Sequence, residues 1–139
     1  MRADQPIDVA AAVLVENRKV LLARRRGGYL DNMWEFPGGK LETGESPEAA
    51  CVRELKEELD IDVEAKKLLL ALEHQYPDKT VRLHFVLCSL GEDKNANLSK
   101  LSENSETDWF NPDQLPLEDF CPADRIAANN IPWSVIIKK

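Results

Sequence analysis

Five charged residues define the chemistry open to this chain: Glu45, then Arg53 and Glu54, then Glu57 and Glu58. Ser46-Pro47 reads as a helix start, a hydroxyl that caps free N–H groups followed by a proline whose missing N–H costs nothing there. Cys51, Val52, Leu55 and Leu59 then recur at helical spacing as one apolar stripe. Glu54, Glu57 and Glu58 fall within an arc of about 100° facing away from that stripe. Carboxylates so placed repel by roughly 0.2–0.5 kcal/mol per pair. Arg53 and Lys56 offset part of this. A hard divalent cation held by carboxylate oxygens offsets more, and it also recruits phosphates. A Glu-Glu pair alone is usually a solvated helix face, so the case rests on the spacing of the whole set.

The elements that must position this helix can be read around it. Met33–Phe36 looks like a short strand running into Pro37-Gly38-Gly39, where paired glycines permit a sharp turn and a close backbone approach. Ile7–Glu16, apolar and rich in Ala and Val, reads as a mostly buried strand, turned at Asn17-Arg18 and returning as Lys19–Ala23. Beyond the helix, Val63–Glu73 and Val81–Leu90 are long strand candidates joined through the turn Tyr76-Pro77-Asp78-Lys79. Gly91–Asn104 is polar and reads as an irregular loop, followed by a short strand at Trp109-Phe110. Asn111-Pro112 caps a brief helix, Leu117–Ala123 wanders, and Asp124–Asn129 reads as helical. The tail Ile131–Ile137 is too apolar to be left free.

The pattern Gly39-x5-Glu45-x7-Arg53-Glu54-Leu55-x-Glu57-Glu58 resembles the Nudix box. Asp60 stands where that family usually has glycine, a helix-ending position of left-handed conformation that aspartate tolerates better than most residues do. The resemblance extends to Trp34-Glu35-Phe36-Pro37-Gly38-Gly39-Lys40, Tyr76-Pro77-Asp78 and Pro122-Ala123-Asp124, which look like the MutT branch, and it covers about Ala10–Asn129. It implies an α+β fold, a mixed sheet sandwiched between helices, as a single domain over residues 1–139. It also implies attack of water on a nucleoside triphosphate, releasing nucleoside monophosphate and pyrophosphate with Mg²⁺ (Mn²⁺ as a substitute).

By the same resemblance Glu54, Glu57 and Glu58 are metal ligands, with the carbonyl of Gly38 or Gly39 beside them. Arg53 orients Glu54 or Glu45 through a charge-assisted hydrogen bond. A carboxylate in the loop before the Trp109 strand serves as general base or metal ligand. Glu103 matches that placement best, and Glu106 is second. Arg24 and Arg25, within Arg24-Arg25-Arg26, are candidates to face a phosphate or stack on a base. Asp78 and Lys79 in the turn are further substrate candidates. Tyr29, Trp34 and Phe36 offer a stacking face, although Trp34 and Phe36 suit a core equally well. Asp124 occupies the base-reading position. An ionised carboxylate there selects an amino-bearing edge such as cytosine, and a protonated one imitates an amide and suits an oxidised purine.

Composition bounds the rest. At 139 residues the chain can bury a substantial core. A net charge of −7 argues against long nucleic acids, though not against a small polyphosphate accompanied by metal. The three cysteines (Cys51, Cys88, Cys121) lack metal-site spacing and read as buried apolar residues. No signal-peptide pattern opens the chain and no run approaches the roughly 20 apolar residues of a membrane span, so a cytoplasmic location is expected. His74 and His84 read as structural or pocket-lining. Oligomeric state, monomer or homodimer, is not legible. The alternatives are a hydrolase of nucleotide sugars or dinucleoside polyphosphates, or a silent nucleotide-sensing module. The intact box carboxylates count against the second.

Overall fold

A computed structural model describes residues 5–137; the ends of the expected 1–139 span lie outside the described residues. Its centre is β1 (Ile7–Glu16), parallel to β6 (Lys79–Leu90) from Ile7 opposite Val81 to Leu14 opposite Cys88. Ala10 to Leu14 are all buried because the sheet is covered on both faces, which is why this strand is continuously apolar rather than alternating. Ala10, Ala12 and Leu14 pack with Ala50, Cys51 and Leu55 of α1 (Pro47–Leu59), whereas Ala11 and Val13 pack with Phe36, Phe85, Phe120 and Ala127. The result is the expected α/β/α sandwich. Val52 departs from the expected stripe and is exposed.

The sheet runs in the order β3 (Trp34–Glu35), β2 (Lys19–Arg24), β1, β6, β5 (Val63–Tyr76). β4 (Gly38–Lys40) is added on β1 and β7 (Thr107–Phe110) on β2. Val15 opposite Val20 and Glu16 opposite Lys19 leave a two-residue hairpin at Asn17-Arg18, both at positive φ as a type I′ turn requires. β5 and β6 run further than the sequence indicates, closing at Pro77-Asp78.

Four expectations are corrected. Where a sharp turn was expected at Pro37-Gly38-Gly39, Gly38–Lys40 forms the strand β4, with Gly38 opposite Ala11 and Gly39 opposite Ala10. A Cβ on Gly38 would collide with the Ala10 carbonyl oxygen, so glycine is what lets this strand seat. Gly91–Asn104 contains the helix α2 (Lys94–Ser102). Local pattern does not announce α2; two tertiary contacts hold it. Leu101 enters the core, and buried Asn97 both accepts from Asp62 N (3.3 Å) and donates to Asp62 O (3.2 Å). Asn111-Pro112 opens only a 3-10 turn, Pro112–Gln114, and a second such turn spans Leu117–Asp119. The late helix, α3 (Pro122–Ala128), starts two residues earlier than expected. The tail packs as anticipated: α4 (Trp133–Ile136) follows buried Ile131, and Trp133 Nε1 donates to Ala128 O at 2.9 Å. No helix among the described residues is long and apolar enough to cross a membrane.

Candidate active site

The acidic helix is fixed at both ends before it does any chemistry. Ser46 Oγ accepts from Ala49 N at 3.1 Å, with Pro47 in the first turn. At the far end Asp60 takes the left-handed conformation (φ 58°, ψ 36°) that glycine would adopt freely. Two lysines hold it there: Lys56 Nζ lies 3.3 Å from its carboxylate, and Lys100 Nζ donates to its carbonyl oxygen at 2.9 Å. The family's glycine is thus replaced by a residue whose strain is offset by α2, which carries Lys100.

Arg53 is the hub of the site. Its Nε and Nη2 donate to the two oxygens of Glu45 at 2.7 and 2.8 Å, a bidentate pair. Nη1 donates to Glu54 Oε2 at 3.0 Å and Glu57 Oε1 at 3.2 Å, and Nη2 also donates to the Lys40 carbonyl at 3.0 Å. Glu45 in turn accepts from Glu42 N at 2.9 Å. The Arg53 hydrogen bonds, followed by that amide, hold the Glu45 carboxyl down at about 2. One guanidinium therefore braces the entry loop, the end of β4 and two acidic side chains of the helix.

Glu54 is mostly buried and lies against Gly39, where a Cβ would overlap its carboxylate. Glu58 is reached by solvent on its outer side. Desolvation against the cleft wall, then the negative charges of Glu54, Glu35 and Glu57, push it up to about 7. Such crowding, with oxygen donors and a glycine backbone beside them, is the environment a hard divalent cation relieves. Glu54, Glu57 and Glu58 are the oxygen donors the helix offers such an ion; their carboxylates are not drawn together as the group Glu35, Cys121 and Asp124 is, and Glu57 is held by Arg53.

A cleft next to this cluster is lined by Arg24, Arg25, Arg26, Glu35, Glu58 and Glu106, among others. The three arginines are fixed differently. Arg24 lies over the Trp34 ring (4.8 Å) and donates to Asn32 Oδ1 at 2.9 Å; its Nε is buried and free of any hydrogen bond among the described residues. Arg25 pairs with Glu35 at 2.9 Å. Arg26 pairs with Glu106 and shares Asn32. Glu103 caps α2, exposed, one residue outside the cleft lining that begins at Asn104.

On the other side of the Arg25–Glu35 pair lies a mainly apolar cavity of about 300 Å³, with Tyr29, Phe36, Asp78, Lys79 and Asp124 on its walls. The structure thus brings Asp124 to the same cavity as the adjacent pair Asp78-Lys79, far from it in sequence. Phe36 touches the cavity but is 3% exposed, stacked on Trp133, edge-on to Phe85 and tilted against Phe120. Trp34 serves as a platform for Arg24 and packs edge-on against Phe110. Tyr29 is exposed and meets Tyr76 edge-on, so it is the aromatic face open to a planar ligand. Asp124 is buried, and its Oδ2 accepts from Phe36 N at 3.0 Å. Burial, reinforced by Glu35, pushes its carboxyl up to about 8. His74 packs tilted against Tyr76, and His84 Nε2 lies 3.0 Å from Asp8 Oδ1, both contacts within the sheet region.

Sequence reasoning missed Glu35 and Cys121. Glu35 lines both the cleft and the cavity, and Cys121 lines the cavity. Alternation along Trp34-Glu35-Phe36 was the available signal for Glu35. Cys121 carried none.

The chain matches the NUDIX domain over residues 6–130 and belongs to the Nudix family. It is 36% identical over 110 residues to an 8-oxo-dGTP diphosphatase of Escherichia coli strain K12, covering 78% of this chain and 82% of that protein. It is 37% identical over 79 residues to a CTP pyrophosphohydrolase of the same organism, covering 56% and 58%. Among solved structures, a MutT NUDIX hydrolase from Burkholderia pseudomallei superposes with a TM-score of 0.73 at 27% identity, covering 91% of this chain and 98% of that one. Fold, box and relatives together make this chain a MutT-like Nudix hydrolase.

Proposed function

We propose that this chain is a Mg²⁺-dependent nucleoside triphosphate pyrophosphohydrolase that releases a nucleoside monophosphate and pyrophosphate, with 8-oxo-dGTP as its preferred substrate. The observation that carries the base preference is the Asp124 carboxyl buried at the cavity wall, where burial and the nearby Glu35 push it up to about 8 and favour its neutral form. A neutral carboxyl offers one donor and one acceptor, as an amide does. Oxidised guanine presents the complementary pair, the O6 acceptor beside the N7–H donor, whereas guanine presents two acceptors on that edge. The E. coli relative named for 8-oxo-dGTP supports the same reading.

Glu54, Glu57 and Glu58, with the carbonyl of Gly38 or Gly39, would hold Mg²⁺, or Mn²⁺ in its place. Such an ion, when bound, neutralises phosphate charge and lowers the pKa of coordinated water. Arg53 keeps Glu54 and Glu57 in register, and its bidentate grip on Glu45 fixes the loop that leads into the helix. Arg24, with its unpaired Nε, and Arg25 face the triphosphate from the cleft, and Asp78 and Lys79 line the base side. Glu103, exposed and one residue outside the cleft lining, takes the proton of the attacking water by turning in toward the cleft that Glu106 already lines. Its carboxylate has no ion pair among the described residues, while Glu106 is committed to Arg26.

The relative that acts on CTP keeps cytidine nucleotides as the second reading, in which Asp124 ionises on binding and accepts from the cytosine amino group. A panel of nucleoside triphosphates, nucleotide sugars and dinucleoside polyphosphates with Mg²⁺, scored for monophosphate and pyrophosphate, tests the assignment. kcat/KM highest for 8-oxo-dGTP is the expected result. A higher value for CTP would transfer the role to the second reading.

A further inference from the structure

Glu35, Cys121 and Asp124 bring one oxygen, one sulfur and one oxygen together at the wall of the base cavity, all within 4.8 Å of one another. None belongs to the acidic helix. The two carboxyl groups are each fixed by one hydrogen bond, and all three residues line the cavity. Arg25 takes Glu35 Oε1 at 2.9 Å, and Phe36 N–H takes Asp124 Oδ2 at 3.0 Å. The Cys121 thiol, 1% exposed, makes no hydrogen bond among the described residues although it lines the cavity. A buried thiol alone costs little, but two carboxyl groups crowded against it are unfavourable when ionised and apt as a ligand set.

From this geometry we infer that Glu35, Cys121 and Asp124 form a second metal site, selective for thiophilic divalent ions such as Zn²⁺, on the wall of the base cavity. The donor set separates it from the acidic helix. Oxygen-only ligands suit Mg²⁺, while a thiolate with two carboxylates and a water suits four-coordinate Zn²⁺. Bond lengths of about 2.0–2.3 Å place tetrahedral ligands roughly 3.3–3.7 Å apart, so modest side-chain rotation closes the site. Charge also balances: thiolate and two carboxylates are matched by a dication and the Arg25 guanidinium. The thiol and Asp124 protons leave to solvent on binding, so affinity rises with pH. The backing contacts from Arg25 and Phe36 are the outer-shell supports that metal-bound carboxylates ordinarily have. An ion there occupies Asp124. If Asp124 reads the base, as proposed above, Zn²⁺ and the nucleotide exclude each other.

The test begins with metal alone, which separates this site from the substrate assignment. The full chain, saturated with Mg²⁺, is titrated with Co²⁺, whose thiolate-to-metal charge-transfer absorption appears only when sulfur binds, and Zn²⁺ is then added to displace it. One equivalent of thiolate-bound Co²⁺ is expected, lost in Cys121→Ser and unchanged in Cys88→Ala. Glu35→Gln should weaken it at least about tenfold, given that even outer-shell changes cost 10–100-fold. Absence of the band, or its survival in Cys121→Ser, overturns the site. In a second arm, Zn²⁺ should raise KM for the nucleotide in the wild type at constant kcat. An equal fall of kcat in wild type and Cys121→Ser would place the inhibitory ion at the acidic helix and overturn the exclusion.

Discussion

The Phe36 amide donates to Asp124 Oδ2 at 3.0 Å across 88 positions of sequence, tying the strand ahead of the acidic helix to the first turn of α3. The group that would read the base is therefore registered against the same short segment that leads into Gly38 and Gly39, the glycines proposed to flank the metal.

Because Asp124 is held neutral, Asp124→Asn should preserve the 8-oxo-dGTP reaction and weaken any CTP reaction. The ratio of their kcat/KM values should shift by at least about tenfold, or roughly 1.4 kcal/mol, the scale of a mismatched buried polar contact. If both values stay within about twofold of wild type, Asp124 serves only the fold. The sign of the pH effect is also set. A carboxyl raised from its ordinary range to about 8 binds its proton more tightly in the folded state, so its contribution to stability is complete at low pH and is lost as pH rises toward 8. Thermal melts across pH 4 to 8 should show a decline in the wild type that Asp124→Asn lacks.

Glu57→Gln and Glu58→Gln keep side-chain shape and remove a charged ligand. Turnover should fall by about 10²–10⁴-fold in each, and EDTA should abolish it in the wild type. Since desolvation and the neighbouring carboxylates push Glu58 up to about 7, Mg²⁺ affinity should rise with pH through neutrality, to be checked by calorimetric titration. Full activity in EDTA would remove the metal from the mechanism.

Arg53→Lys retains the charge and loses the fork that spans Glu45, Glu54 and Glu57. We expect kcat to fall by about 10²-fold, the cost of ligands displaced by about 1 Å, with KM changed far less. The Glu45 carboxyl, depressed to about 2, contributes stability above its ordinary range that is lost as pH falls toward 2. In Arg53→Lys that acid limb should move upward in pH, and a melt series below pH 5 reads it directly.

Two adjacent glycines should fail differently. In Gly38→Ala the new Cβ meets the Ala10 carbonyl, which cannot move without breaking the β1–β4 pairing, so thermal stability and activity should fall together. In Gly39→Ala it meets the flexible end of Glu54 instead. That variant should fold with a Tm near wild type and lose most of its Mg²⁺-dependent turnover. Equal losses of Tm in the two would refute the distinction.

By itself the sequence determined the chemistry of the helix and the outline of the sandwich. Capping at Ser46-Pro47 and the spacing of Arg53, Glu54, Glu57 and Glu58 are local facts, fixed by 3.6 residues per turn wherever the helix is placed. The buried β1 was equally legible, since an unbroken apolar run requires cover on both faces. Tertiary structure alone decided what no short window contains. α2 forms because Asn97 and Leu101 find Asp62 and the core, not because its own nine residues favour a helix. Gly38-Gly39 become a strand because β1 offers an open edge at Val9–Ala11. The meeting of Glu35, Cys121 and Asp124, and the neutral state of Asp124, depend on a low-dielectric wall assembled from separate segments of the chain. A side chain's charge state is a property of the space around it, and that space exists only once the chain has folded.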